Sequence, residues 1–299
     1  MTEFKALGIE DRDLFNKYLG QYRFYTYEYS FLTLYLWKKY CNVEYAIIND
    51  ALIIRKNQEK MGSYFMQPLG CSAGSLRETI TELIKIKRED PAFIHLFREI
   101  EEPFLYRLQD IYGANMQYYE DLNNSDYIYE TQKLINLSGD KLSKRKNLYH
   151  QFINSYDYSL QDIHDKMVIR DCLDFSRSWL QEQKIKSAQM VCELAGIEDV
   201  LEHLERLNVI GMAVYEGEKV IAYTIGEKIN CKMAVIHVEK GDIQYKGIYA
   251  FINKTFAEKY LQDTIYINRE EDMGIAGLRK AKQAYDPVKL EKKYVADIL

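Results

Sequence analysis

Val43-Glu-Tyr-Ala-Ile-Ile48 and Ala51-Leu-Ile-Ile-Arg55, divided by Asn49-Asp50, read as a β-hairpin: two β-branched, apolar runs about a turn pair that tolerates left-handed backbone. Outward from it, Ser63-Tyr-Phe-Met-Gln67 continues as a third strand. A helix over about 75–88, a strand at Ala92-Phe-Ile-His-Leu-Phe97, a helix over about 102–112 and a strand at Asn115-Met-Gln-Tyr-Tyr119 follow. Residues 209–298 spell the same order. Runs 209–215 and 220–226 flank Glu216-Gly-Glu-Lys219; then come a strand at 233–239, a helix at 247–260, a strand at 264–268, a helix at 273–284 and a strand at 288–298. Few residues match between the halves, so this is a repeat of topology, β-β-β-α-β-α-β read twice.

The flanking segments fit that frame. Residues 11–19 carry early acids and apolar side chains at helical spacing, and Ser30 opens a second helix through Phe31, Leu34, Tyr35 and Trp37. Phe4-Lys-Ala-Leu7 supplies a short first strand. Between the halves, Asp126-Tyr-Ile-Tyr-Glu130 and Lys133-Leu-Ile-Asn136 read as extended, and helices are expected at 143–156, 163–184 and 187–208. The domain division is placed at 1–130 and 131–299, the second with a helical lead-in. All four prolines fall at element boundaries.

Composition narrows the function classes. A 299-residue chain that is 47% hydrophobic and 28% charged can bury two cores of ordinary size. Its net charge of −5 supplies no global attraction to nucleic acid or anionic membrane, so such binding needs a local patch. Five scattered cysteines without a CxxC pair argue against a zinc site and fit a reducing compartment. No signal-like start and no long apolar run is present, so a cytoplasmic protein without stable membrane insertion is expected. The dense Gln21-Tyr-Arg-Phe-Tyr-Thr-Tyr-Glu-Tyr29 reads as packing with wet hydroxyls or as an aromatic wall for a polar substrate.

The element order resembles that of the GNAT (acyl-CoA N-acyltransferase-like) fold. It implies an α+β chain of two tandem domains, each a mixed sheet flanked by helices. In that fold a donor pyrophosphate rests on backbone N–H groups between the fourth strand and the next helix, where small residues permit close approach. Gln67-Pro-Leu-Gly70-Cys-Ser72, with Gly74 beyond, occupies that place in the first half; Gln244-Tyr-Lys246-Gly247-Ile-Tyr249 occupies it in the second. Neither completes the usual pattern, and Tyr249 stands where a small residue is wanted. Each is either a donor loop or a plain strand-to-helix turn.

Charged candidates gather elsewhere. Asn268-Arg269-Glu-Glu-Asp-Met-Gly-Ile-Ala-Gly-Leu-Arg279-Lys-Ala-Lys282 ends a strand in Asn-Arg and acids, then presents Arg279 and Lys282 three apart on one helix face. They form either salt bridges or a cationic site for a carboxylate, phosphate or oxyanion. Lys144 and Arg145 belong to a basic cluster with Lys141, Lys146 and His150, either a solvated patch or a ligand site. In Ala234-Val-Ile-His237-Val-Glu239 the histidine and glutamate share a strand face, which makes both candidate bases, with a packed core histidine as the plainer reading.

The chain also resembles the DUF2156 family, similar to the C-terminal catalytic domain of phosphatidylglycerol lysyltransferases. The likeness rests on Tyr29-Ser-Phe31, Leu34-Tyr-Leu-Trp37, Asp126-Tyr-Ile-Tyr-Glu130, Gly139-Asp-Lys-Leu-Ser-Lys-Arg-Lys146, Lys246-Gly-Ile-Tyr249 and, most specifically, Asn268-Arg-Glu-Glu-Asp-Met-Gly-Ile-Ala-Gly-Leu-Arg-Lys280. It implies a relationship to the Fem aminoacyltransferases and transfer of an aminoacyl group. The donor would be an aminoacyl-tRNA-type ester in preference to an acyl-CoA, and the acceptor a small molecule or peptide presenting an amine or hydroxyl. The reaction would sit in an inter-domain groove, with no cofactor. His237, Glu239, Arg279 and Lys282 are the catalytic candidates. Gly70, Ser72, Gly74, Lys144, Arg145, Lys246, Gly247, Tyr249, Asn268 and Arg269 are the candidates for holding the donor. The lysyltransferases carry a large membrane domain that this sequence lacks, so a different acceptor is expected. The competing reading is a non-catalytic module that binds a small anion, an acyl-CoA or a tRNA end.

Overall fold

Two left-handed residues, Asn49 (φ 49°) and Asp50 (φ 63°), turn the hairpin from which the fold was read. This is the turn geometry whose twist matches paired strands, and asparagine and aspartate adopt it at low cost. The computed structural model describes residues 2–72, 74–183 and 185–299. Ala73, in the first small-residue loop, and Lys184, at the expected end of a helix, lie outside the described residues.

In chain order the first half comprises β1 (Lys5–Ala6), α1 (Arg12–Leu19), α2 (Phe31–Leu36), β2 (Glu44–Ile48), β3 (Ala51–Gln58) and β4 (Gly62–Phe65). α3 (Leu76–Glu89), β5 (Phe93–Ile100), α4 (Glu102–Tyr112) and β6 (Met116–Glu120) follow. The second half opens with β7 (Asp126–Glu130), α5 (Thr131–Asn136), α6 (Ser143–Ser155), β8 (Ser159–Asp162), α7 (Lys166–Glu182) and α8 (Ala188–Glu202). It continues with β9 (Ile210–Glu216), β10 (Lys219–Lys228), β11 (Met233–Gly241), α9 (Ile248–Tyr260), β12 (Tyr266–Asn268) and α10 (Ala276–Gln283). β13 (Lys289–Glu291) and β14 (Tyr294–Ile298) end the chain. Ser30 caps α2 as expected, its hydroxyl accepting from Thr33 N at 3.2 Å.

The chain divides into two compact units. One holds the chain up to Ser125 together with Lys292–Leu299; the other is Asp126–Glu291. In the first, the sheet order is β1-β2-β3-β4-β5-β14-β6, with β4 and β5 parallel. Ile53, Phe65 and Phe97 of this sheet are buried with Leu76, Ile80 and Leu83 of α3 and Leu108 of α4. Each such side chain contributes about 1.5–3 kcal/mol by leaving water.

In the second unit the order is β8-β9-β10-β11-β12-β7-β13, with β11 and β12 parallel. Its core joins Met212, Val214, Ile221 and Ile236 of the sheet to Phe251, Ile252 and Phe256 of α9 and Phe152 of α6. The two sheet orders correspond position by position. In the first sheet the sixth place is filled by β14, which follows the whole second unit in sequence; in the second it is filled by β7, the strand that opens that unit.

Two expectations need correction, and one strand had no expectation. Residues 288–298 are not one strand closing the second half; β13 pairs with β7, whereas β14 pairs with β5 and β6. The break falls at Lys293, whose fully buried ammonium is ion-paired with the buried Glu28 carboxylate inside the first unit. Residues 133–136 are helical, because Thr131, Leu134 and Ile135 form a buried stripe at helical spacing. β8 escaped notice because only Leu160 among its four residues is apolar. Among the described residues no helix is long and apolar enough to cross a membrane.

Candidate functional site in the second unit

β11 pairs with β10 from Ala234 to Gly241, but with β12 only over Met233–Val235. Beyond Val235 the two parallel strands part. The chain leaving β12 is turned aside at Glu270, whose backbone is left-handed (φ 59°), a conformation costly for a residue with a Cβ. Ile236, His237 and Glu239 on one side and Arg269 and Glu270 on the other then line a cavity of about 570 Å³. Its remaining wall comes from α6, α8, α9, α10 and Tyr285, so every lining residue belongs to the second unit.

The cavity is built from opposed charges. His237 is buried and bonded at both ring nitrogens, Nδ1 to Glu270 (3.1 Å) and Nε2 to Glu227 (3.1 Å). Burial works against its charged form, yet the two carboxylates outweigh it and raise its pKa to about 9. At neutral pH it is an imidazolium donating in both directions. That geometry argues against His237 as the base and makes it the clamp on Glu270. Burial in turn raises the Glu270 pKa from its ordinary value, against the pull of His237. Its backbone N–H is tied to Asn268 Oδ1 at 2.7 Å, so Asn268 shapes the left-handed turn.

Glu239 accepts from Arg269 Nη2 at 2.8 Å and from Asn253 Nδ2 at 3.2 Å. The Arg269 guanidinium lies 4.7 Å from the Tyr285 ring centre and 5.6 Å from that of Tyr129. Arg145, from the first turn of α6, packs 4.9 Å from the same Tyr285 ring. Arg269 Nη1 is buried and has no hydrogen-bond partner among the described residues. A buried, charged donor without an acceptor costs stability, and such costs concentrate where a ligand supplies the missing atom.

The other cations of the motif hold structure. Lys282 is buried and donates to the carbonyl oxygens of Arg269 and Glu271 (2.6 Å to the latter), pinning the turn that carries Glu270. Burial lowers its pKa despite Glu270 and Glu271 nearby. Arg279 forms a two-pronged pair with Asp272 (2.7 and 2.8 Å), which also accepts from Tyr127 Oη at 2.6 Å and Gly274 N at 2.8 Å. Although burial opposes it, this set holds Asp272 at about 2. Arg279 does not line the cavity. Arg279→Ala leaves the buried Asp272 carboxylate without its cation and is therefore expected to lower the thermal midpoint by about 10 °C, while activity of the folded variant stays within about threefold. Thermal unfolding beside an activity assay checks this.

The phosphate-loop candidates meet a different fate. Gly247 is needed for packing: its φ is 95°, and a Cβ there would meet Leu148 O at 2.2 Å. Four amides of the turn before α9 have acceptors within the chain. Gln244 N goes to Asp242 Oδ1 (3.0 Å), Tyr245 N to Asp242 O (3.1 Å), Lys246 N to Tyr156 Oη (3.1 Å) and Ile248 N to Tyr245 O (3.0 Å). An aspartate carboxylate at that turn repels a phosphate. Tyr249 reaches across the cavity wall to Gly241, and Lys144 and Lys246 are exposed outside it. In the first unit, Gly70 N is taken by Tyr22 Oη (2.8 Å), and Ser72 Oγ accepts from Ser75 N (3.1 Å) at the head of α3; Gly74 is exposed.

Glu270, Glu227 and Asn253 were not singled out from sequence. A faint signal existed: Arg98-Glu99 closes β5 as Arg269-Glu270 follows β12, and Glu99 is left-handed too (φ 57°). In the first unit this glutamate is met by Lys56 Nζ (2.6 Å) and Tyr64 Oη (2.8 Å), so protein side chains fill what is a cavity in the second.

Comparison with known proteins follows the same lines. The family model described as phosphatidylglycerol lysyltransferase, C-terminal, matches residues 20–297. A conserved protein of unknown function from Bacteroides thetaiotaomicron superposes with a TM-score of 0.88 at 29% identity over 100% of both chains. The structure of L-PGS from Bacillus licheniformis gives 0.70 at 14% identity, covering 99% of this chain and 93% of that one. A tandem GNAT protein from the clavulanic acid biosynthesis pathway gives 0.51 at 8%, covering 99% and 97%. These last two likenesses concern the fold alone, which is α+β with two mixed, helix-flanked GNAT-like sheets. An uncharacterised protein of Mycoplasmoides gallisepticum is 22% identical over 178 residues, 59% of this chain; the match spans little more than half (57%) of that relative's length.

Proposed function

We propose an acyltransferase of the lysyltransferase type, and the premise is plain: the chain belongs to the phosphatidylglycerol lysyltransferase C-terminal family. The observation that carries the proposal is the charged cavity at the parting of β11 and β12, lined by Arg269, one of whose buried nitrogens has no partner among the described residues, and by Glu270, held by His237. An aminoacyl ester of the tRNA type suits it better than an acyl-CoA. The cavity offers carboxylates for an ammonium group, whereas the turn before α9 ties four of its amides to acceptors in the chain and carries the Asp242 carboxylate.

The chain's residues divide the work as follows. Glu270 takes the proton of the acceptor amine or hydroxyl as it attacks the ester carbonyl, and then returns it to the leaving oxygen. Arg269 Nη1 donates to the carbonyl oxygen as negative charge develops there. Glu239 and Tyr285 hold the guanidinium in place, His237 holds Glu270, and Lys282 with Asn268 fixes the turn between them. Arg145 adds a second cation for the donor's or acceptor's anionic group. The chemistry thus sits in the second unit, with Glu270 in the role first considered for His237 or Glu239.

The test is transfer of a radiolabelled aminoacyl group from charged tRNA to an acceptor fraction of cell extract, with labelled acyl-CoA in parallel. Transfer from the tRNA ester, weakening by about tenfold or more between low and moderate salt as released counterions dictate, supports the proposal. Salt-insensitive transfer from acyl-CoA, or binding of either donor without transfer, overturns it in favour of an acyl-CoA enzyme or a binding module.

A further inference from the structure

We propose that the first unit carries a second reactive centre, in which Tyr119 is a nucleophile activated by His95 and oriented through Asp297. Three adjacent strands bring these residues together. β14 lies between β5, which bears His95, and the edge strand β6, which bears Tyr119; the register sets Val295 opposite Tyr119 and Asp297 opposite Gln117. The side chains meet at a shallow cavity of about 460 Å³, lined by His95, Gln117, Tyr118, Tyr119, Val295 and Asp297.

The contacts form a directed chain. Asp297 and His95 Nδ1 are 2.6 Å apart, and Nε2 lies 3.3 Å from the Tyr119 hydroxyl. Asp297 also accepts from Leu96 N at 2.7 Å and from the Lys87 ammonium. Burial works against its charge, but these donors hold the carboxyl below its usual range, so it remains an acceptor. An ionised Asp297 places the neutral ring's proton on Nδ1 and leaves Nε2 with its lone pair facing the phenol. Nucleophile, base and orienting carboxylate within hydrogen-bond reach are the signature of covalent catalysis, looser than ideal when no substrate is bound. Tyr119 is half exposed, so its hydroxyl is reachable. Gln117, two residues away on the same strand face, lines the same cavity and brings a side-chain amide donor to it.

The substrate class is a small activated carboxylic ester. Tyr119 Oη attacks the carbonyl carbon, its proton passing to His95 Nε2. The bond from that carbon to the leaving oxygen breaks, and His95 returns the proton to the departing alkoxide, giving O-acyl-Tyr119 and an alcohol. Water, deprotonated by His95, then attacks the acyl carbon, releasing the acid and restoring the phenol. This centre is independent of the cavity in the second unit.

p-Nitrophenyl acetate is the probe. The full-length protein should release p-nitrophenolate, and peptide mass spectrometry of the acid-quenched reaction should find acetate on Tyr119. Tyr119→Phe, which removes only a half-exposed hydroxyl, should abolish the label, and His95→Gln should slow labelling about 10²-fold with circular dichroism unchanged. Tyr25→Phe, an equally exposed tyrosine of the same unit outside this cavity, should label on Tyr119 at the wild-type rate. Absence of label on Tyr119, equal labelling of His95→Gln, or loss of label in Tyr25→Phe overturns the proposal.

Discussion

Arg269→Ala is expected to abolish transfer and to cost more stability than any other single change in the cavity. Two effects act together. Loss of one well-placed oxyanion donor slows turnover about 10²–10³-fold. The same change leaves Glu239, only 12% exposed, as a buried charge with Asn253 as its remaining partner, at a cost of about 3–5 kcal/mol. Natural domains hold about 5–15 kcal/mol in total, so the variant stays folded at low temperature with a much reduced denaturation midpoint. The double variant Arg269→Ala/Glu239→Ala should recover most of that stability and none of the activity. A double-mutant cycle on urea midpoints, set beside single-turnover rates, separates the two contributions. Equal stability losses in the single and double variants would show that the ion pair is not what Arg269 supports.

Glu270→Gln should lower transfer by about 10²-fold or more while leaving donor binding nearly unchanged, because it removes the proton acceptor and keeps the shape. It should also move a titration. In the wild type the folded-state pKa of His237 is raised to about 9, above its unfolded value of about 6.5. Its stabilising contribution is therefore complete below about pH 6.5 and is lost as pH rises through about 9. Glutamine removes one of the two carboxylates responsible, so both the His237 titration and the loss of stability should shift to lower pH. NMR titration of the imidazole and unfolding midpoints between pH 6 and 10 read this out. An unmoved His237 titration would mean that Glu227 alone sets its charge.

The legible part of this molecule was its periodic part. Apolar runs about Asn49-Asp50 and Gly217 announced the hairpins, and the strand-helix alternation after each yielded two like-ordered halves. Strand exchange was not legible, since pairing of β14 with β5 and β6 depends on contacts distant in sequence, among them buried Lys293 with Glu28. At the candidate site, residues of the Asn268–Lys282 motif line one cavity together with His237 and Glu239, as their shared strand face allows. The roles within it were not legible. Whether Arg279 meets a ligand or Asp272, and whether His237 has a free nitrogen, depends on angstrom-scale geometry that spacing does not encode. Glu270 went unnoticed because its backbone conformation, the feature that aims it inward, has no residue signature of its own.

The central claim, that the second unit's cavity receives an aminoacyl ester and reads it through Arg269, can be measured without knowing the acceptor. Isothermal titration of 3′-aminoacylamino-3′-deoxyadenosine, a stable amide in place of the ester, should show saturable binding to the wild type. Binding should be weakened about tenfold or more by Arg269→Lys, which keeps the charge but loses the planar fork. Binding that Arg269→Lys leaves untouched, or displacement of the amide by acyl-CoA, would contradict it.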